Sequence, residues 1–183
     1  IDNAYKILVN RYIKAKDSNK PHLMASVFSQ NAVLEMKVKS DNISFPPIIT
    51  GCKKITETLI REFSQSYENI YTICVADTAQ ERSTTLSCRW LVGMTEISSG
   101  LQKVGFGDYL WVFSDKGDNL VDQLTIIIDN MIILDPEHQS ELMPWLDGLP
   151  APWALSSEVL ASMPNIAQLS DVRNKLIPQA LSS

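Results

Sequence analysis

The residues best suited to hold or act on a small molecule lie in two alternating stretches, Lys103–Phe113 and Asn119–Asp129. Both read as strands, joined by Ser114-Asp-Lys-Gly-Asp118, whose Asp and Gly suit a tight hairpin. One alternate set holds Tyr109, Trp111, Phe113, Gln123, Thr125 and Ile127. It combines aromatic walls with a few hydrogen-bonding groups, the usual make-up of a small-molecule pocket. Tyr109, with Tyr12 on the first helix, could aim two hydroxyls at one ligand oxygen, as an oxyanion hole does. The same tyrosines could instead fill a core and donate to backbone carbonyls. Gln123 and Thr125 would be buried polar groups that need a partner: a ligand, ordered water, each other or the backbone. Among the carboxylates, alternation sends Asp108 and Asp122 to the face opposite Tyr109, toward solvent, a partner chain or the C-terminal segment. The same counting puts Asp129 at the pocket rim, where burial would raise its pKa. Tyr12, Tyr109 and Asp129 are thus the candidate catalytic groups.

Other chemistries find little support. His22 lies in a short second helix and reads as a surface or satisfied histidine, and His138 lies far downstream. Two histidines and Cys52, Cys74 and Cys88 form no metal-ligand spacing, and no metal or cofactor is expected. An odd cysteine count without a CxxC pair fits a reducing, cytoplasmic setting, although Cys74 and Cys88 could face each other on neighbouring strands. Gly105-Phe-Gly107 is a lone GxG inside a strand and marks a bend, not a phosphate loop. With 16 basic and 21 acidic residues, a net charge of −5 and no basic block, a nucleic-acid partner is not expected. No apolar run approaches the length of a membrane-spanning helix. The chain begins at Ile1 rather than Met, which fits a segment removed or omitted ahead of it.

At 183 residues and 45% hydrophobic content, the chain can bury one substantial core. Tyr5, Leu8, Val9, Tyr12 and Ile13 recur at helical spacing after a cap at Asp2 or Asn3. Pro21 opens a short second helix, Ala32–Val38 reads as a strand, and residues 39–50 carry loop signals around Pro46-Pro47. Ile55, Leu59, Ile60 and Phe63 form the stripe of a third helix beginning at Thr50-Gly51. From Ile70 the period becomes two, and Ile70–Ala76, Thr84–Thr95, Lys103–Phe113 and Asn119–Leu134 predict an antiparallel meander. Gly93, Gly105 and Gly107 are candidate bulge or bend points. Beyond Asp135 lie six of the nine prolines, so short helices are expected over 137–146, 156–163 and 169–177. This segment, residues 136–183, is too apolar for a free tail and should pack on the first 135 residues or on a partner.

This order resembles the α+β, cone-shaped fold of the nuclear-transport-factor-2-like (NTF2-like, cystatin-like) superfamily, in which a curved antiparallel sheet wraps N-terminal helices. Its relatives include SnoaL-like polyketide cyclases, ketosteroid isomerase and scytalone dehydratase. The resemblance rests on Asn10-Arg-Tyr-Ile-Lys-Ala15, Leu23–Phe28 followed by Asn31–Glu35, Ile49–Ile55, Cys88-Arg-Trp90 and Asp118–Asp122, and covers about residues 3–135. It implies that Tyr12 stands where ketosteroid isomerases carry a pocket tyrosine, and that Tyr109 lies near their second oxyanion donor. Their general-base aspartate falls at Met36, which cannot take a proton, and Glu35 points the other way on a strand.

The expected site is a pocket for a small apolar molecule, lined by Tyr12, Leu34, Met36, Phe63, Trp90, Tyr109, Trp111, Gln123 and Thr125. An isomerase, cyclase or dehydratase of the SnoaL-like kind would fit but for the missing base. The alternative is a non-catalytic interaction module whose cone is filled by its own side chains. Leu91, Leu110, Val112, Leu124, Ile126 and Ile128 are expected on the outer face, a patch large enough to predict a homodimer through that face.

Overall fold

In the computed structural model, residues 2–176 are described. Helix α1, Asn3–Asp17, starts on Asp2, whose carboxylate accepts the Ala4 amide at 2.8 Å and satisfies one orphan N–H of the first turn. Its buried stripe is Tyr5, Leu8, Val9, Tyr12, Ile13, Ala15 and Lys16. A 3₁₀ turn, Pro21–Ser26, leads to β1, Phe28–Val38. After a loop over 39–47 comes β2, Ile48–Thr50, a three-residue edge strand directly behind the proline pair. Helix α2, Cys52–Thr56, runs through a π-helical stretch, Glu57–Glu62, into α3, Phe63–Ser66.

The expected meander forms: β3, Tyr67–Arg82, β4, Thr85–Glu96, β5, Gln102–Phe113, and β6, Val121–Leu134, pair antiparallel in sequence order. β1 then joins the far edge parallel to β6, and β7, Trp153–Ala154, lies parallel to β3 at the other edge. The order of the seven-stranded sheet is β2-β1-β6-β5-β4-β3-β7.

Alternation divides the sheet into two apolar faces. The inner one buries Leu34, Trp90, Tyr109 and Trp111 with Tyr12 and Ile55 from the helices. On β5 the aromatic residues 109, 111 and 113 point inward as the alternation predicts. On β6 the expected phase is wrong. Phe113 pairs with Val121, but Val112 pairs with Gln123, Trp111 with Leu124 and Tyr109 with Ile126, leaving Asp122 as the extra residue of a bulge. One inserted residue exchanges the faces of everything after it. Leu124, Ile126 and Ile128 therefore enter the cone, not the outer face, while Gln123 and Thr125 stand outside beside Val112 and Leu110. A second shift, between Phe106 and Gly107, leaves Asp129 as another unpaired residue.

The outer face is covered by the chain's own C-terminal segment. Ile73, Val75, Leu91, Val104, Phe106, Ile132 and Leu134 pack against Leu142, Trp145, Leu146, Val159, Leu169 and Val172. The last six come from α4, Gln139–Asp147, α5, Ser156–Ala161, a 3₁₀ turn and α6, Ser170–Leu176; Ile177, expected to end the last helix, lies outside the described residues. The Trp145 indole donates to the Val159 carbonyl at 3.1 Å. Leu146 fills a notch at Gly93, where a Cβ would come within 2.1 Å of its Cδ1. Polar ties reinforce this: Lys175 reaches Asp108 at 2.9 Å and Asp129 at 2.5 Å, and Arg89 donates to the Lys175 carbonyl. Among the described residues no helix is long and apolar enough to cross a membrane.

Asp77 on β3 accepts from both the amide and the hydroxyl of Ser156 at the start of α5. Partial burial works against its charge, but the Ser156 hydrogen bonds outweigh that and hold its pKa below the ordinary value. A depressed carboxylate pKa contributes stability that is present above the unfolded pKa and is lost as pH falls through the folded one. Protection of the Ser156 amide from hydrogen exchange is therefore expected to be complete near neutrality and to drop on acidification below about pH 4. The Asp77→Asn variant should lack this acid dependence. Identical pH profiles for the two proteins would rule out the tie.

Candidate functional site

A cavity of about 50 Å³ lies between α1, the 52–66 helix and the inner sheet face. Its wall is made by Tyr12 and Lys16 of α1, Leu59 and Phe63, Ile43 and Phe45 of the 39–47 loop, and inward residues of β1, β4, β5 and β6. Tyr12, Met36, Phe63, Trp90 and Tyr109, all expected from the sequence, are on this wall. Leu34 and Trp111 are fully buried one layer behind it. Trp111 packs edge-on against Tyr12 at 5.2 Å and Tyr109 at 5.5 Å and so fixes both rings. Gln123 and Thr125 do not reach the cavity, because the Asp122 bulge turns them to the outer face. Asp129 is not at the rim either: its carboxylate is engaged by Lys175 and by Lys39 at 3.7 Å. His22 is exposed in an outer groove with Cys52 and Lys53.

The two tyrosines are brought together, with ring centroids 6.2 Å apart and nearly perpendicular. Burial, then the negative charge of Asp17, raises the Tyr12 pKa far above the ordinary phenol value, and the Tyr109 hydroxyl offsets only part of this. Burial first, then neighbouring Tyr12, raises Tyr109 as well. Both hydroxyls thus stay protonated and can donate. Cys74, also in the inner core, is pushed up by burial and by Cys88, so it is not a ready thiolate nucleophile.

Lys16 is the group that periodicity left out. It is 8% exposed, lines the cavity, and donates to Thr72 Oγ1 at 2.6 Å and Asp17 Oδ1 at 3.2 Å. Thr72 returns its hydroxyl and its amide to Asp17 at 2.8 and 2.7 Å, so that carboxylate is fully engaged. The ammonium also sits 5.5 Å from the Phe63 ring centre, a cation–π distance. Its position four residues after Tyr12 puts it on the same helix face, a signal that was present in the sequence.

Ile43 and Phe45 were invisible to periodicity because they belong to a loop. Phe45 stacks over Phe63 at 6.3 Å, and these residues with Ile43 separate the cavity from an outer cleft of about 230 Å³. The loop is tied down by Asn42, which donates to the Met131 carbonyl at 2.7 Å and accepts from Lys103 at 3.2 Å.

No family model matches the sequence, and no curated protein does. Solved structures do share the architecture. An NTF2-like protein from Burkholderia thailandensis superposes with a TM-score of 0.56 at 12% identity, over 70% of this chain and 92% of that one. An LEH-like epoxide hydrolase from M. tuberculosis gives 0.52 at 10%, over 69% and 83%. A Catenulispora acidiphila protein with a ketosteroid isomerase-like fold, solved with trimethylamine, gives 0.52 at 11%, over 65% and 82%. With its helices inside and the curved sheet around them, the chain has the same α+β cone fold as these NTF2-like and ketosteroid isomerase-like structures.

Proposed function

We propose that the cone binds a small, largely apolar molecule, with Tyr12 and Tyr109 as its polar contacts. The observation that carries this reading is the interior cavity whose wall joins two protonated tyrosines and the Lys16 side chain to a lining that is otherwise largely apolar. Three methionines in that wall, Met36, Met94 and Met131, are flexible enough to reshape around an occupant. The large side chains that could have plugged the cone, Trp145 and Trp153, are not on the wall. Among the described residues on it there is no carboxylate, imidazole or thiol. The site therefore supplies donors that could polarise an oxygen, but no base to take a proton from carbon, which favours binding over SnoaL-like isomerisation.

Thermal denaturation in the presence of apolar aromatic compounds tests this, because a ligand that binds only the folded chain raises its Tm. The Tyr109→Phe variant should weaken the best binder by about 1 kcal/mol, roughly fivefold. Unchanged affinity would remove Tyr109 from the site.

A second reading is favoured by one observation, the volume itself. At about 50 Å³ the cavity is well below that of a typical ligand pocket, which is about 300–1,000 Å³. In this reading the cone is a self-filled scaffold, and two chains meet through the strip of outer face left open near Leu110, which is 42% exposed. A Tm indifferent to every apolar compound, with a dimer mass in solution, would select it.

A further inference from the structure

An apolar protein cavity of about 150 Å³ takes up benzene; the closed chamber here, at about 50 Å³, does not reach that size. An aromatic occupant therefore needs part of the wall to move. Most of the wall belongs to α1, the 52–66 helix and the sheet, and the exception is the 39–47 loop. That loop is anchored at Asn42 by Met131 and Lys103, and at Pro47, whose carbonyl accepts the Met36 amide at 2.9 Å. Between these anchors, residues 43–46 make no hydrogen bond among the described residues. Such a segment opens at low cost in free energy.

The segment carries Ile43 and Phe45, which with Phe63 line both the inner cavity and the outer cleft of about 230 Å³. Phe63 belongs to α3 and is held between the Lys16 ammonium, 5.5 Å from its ring centre, and the Tyr67 ring at 4.8 Å. Phe45 has one aromatic contact, its stack on Phe63, and is the movable part of the partition. With Phe45 turned off Phe63 the chambers join, and their combined volume comes close to the lower end for ligand pockets, about 300 Å³. The two ends of that joint space differ in chemistry. The inner wall is largely apolar and its charged group is the Lys16 ammonium, whereas the cleft adds Ser44, Thr58, Ser66 and the Glu62 carboxylate. A cationic end of an occupant is repelled inside and attracted outside, and an apolar end gains by leaving water in the cone. We propose that cone and cleft are one site, partitioned by Phe45, for an elongated molecule with an aromatic head in the cone and an amine-bearing tail in the cleft. This rests on the binding reading above and adds the occupant's shape, its polarity and its way in.

Ethylbenzene carries only the head, and 4-phenylbutylamine carries both ends. By calorimetry on the full chain, the amine is expected to bind about tenfold more tightly, as burial of the longer tail allows. Intermolecular nuclear Overhauser effects give its orientation: ring protons to the methyl of Met94, which lines only the cone, and tail methylenes to the methyl of Thr58, which lines only the cleft. These contacts are read on the unmodified protein and do not depend on any variant folding. In Phe45→Ala the amine should associate about tenfold faster, because binding no longer waits for a minor open state. Equal affinities for the two compounds, a ring at Thr58 with the tail at Met94, or an unchanged association rate in Phe45→Ala would each overturn the proposal while leaving the cone a binding site. Failure of both compounds to bind would overturn the binding reading as well.

Discussion

Replacing Trp145 with alanine is expected to destabilise the protein by about 3–5 kcal/mol, the range for emptying a buried tryptophan site. Trp145 is 5% exposed and sits in the outer cluster among residues of β3, β4, β5 and β6. Its ring covers apolar surface that the meander cannot hide by itself, and its indole N–H closes a hydrogen bond to α5. Truncation removes both and loosens the neighbouring Leu146 from the Gly93 notch. Urea denaturation followed by circular dichroism gives the value. Accompanying exposure of Ile73, Val75 and Leu91 should make the variant bind a hydrophobic dye. A change under about 1 kcal/mol would mean that residues 136–176 are an appendage rather than a layer of the core.

Gly107→Ala is expected to cost about 3 kcal/mol or more, at or beyond the top of the usual range for overpacking. A Cβ there would stand 1.8 Å from the Ile127 carbonyl oxygen and 3.0 Å from Trp90 Cζ2. The obstacle is backbone of the bulged partner strand, held in its ladder, so it cannot rotate away as a side chain can. At Gly105 the nearest atom is the Met131 methyl at 2.5 Å, which can swing aside, so Gly105→Ala should cost clearly less. Equal costs at the two glycines, read from the same denaturation experiment, would show that the β5–β6 bulge is not rigid.

The helices and the meander were legible because their periods were clean. Tyr5, Leu8, Tyr12 and Ile13 mark one helical face, and the aromatic residues of β5 alternate without interruption through Phe113. Alternation alone gives the wrong phase for β6, because Val121 does point inward and the bulge at Asp122 then exchanges the two sets. Composition held the correcting signal: Leu124, Ile126 and Ile128 form a better core face than Gln123, Thr125 and Ile127. The same slip placed Asp129 at the pocket, where its unpaired position in fact turns it to Lys175. The spacing from Tyr12 puts Lys16 on the inner face of α1, but a lysine late in a helix ordinarily faces water; what holds it inside is Thr72 on β3, 56 residues away, a partner that no local pattern encodes. The loop residues Ile43 and Phe45 have no period to read.

In the proposed function the interior of the cone admits a ligand. Of the six methionines, Met36, Met94 and Met131 line the cavity, while Met24, Met143 and Met163 lie elsewhere. With the methionine methyls labelled with ¹³C, titration of the full chain with acetophenone should move the resonances of residues 36, 94 and 131 saturably and leave the other three in place. Resonances 36, 94 and 131 unmoved at saturating ligand, or all six moving together without saturation, would contradict it.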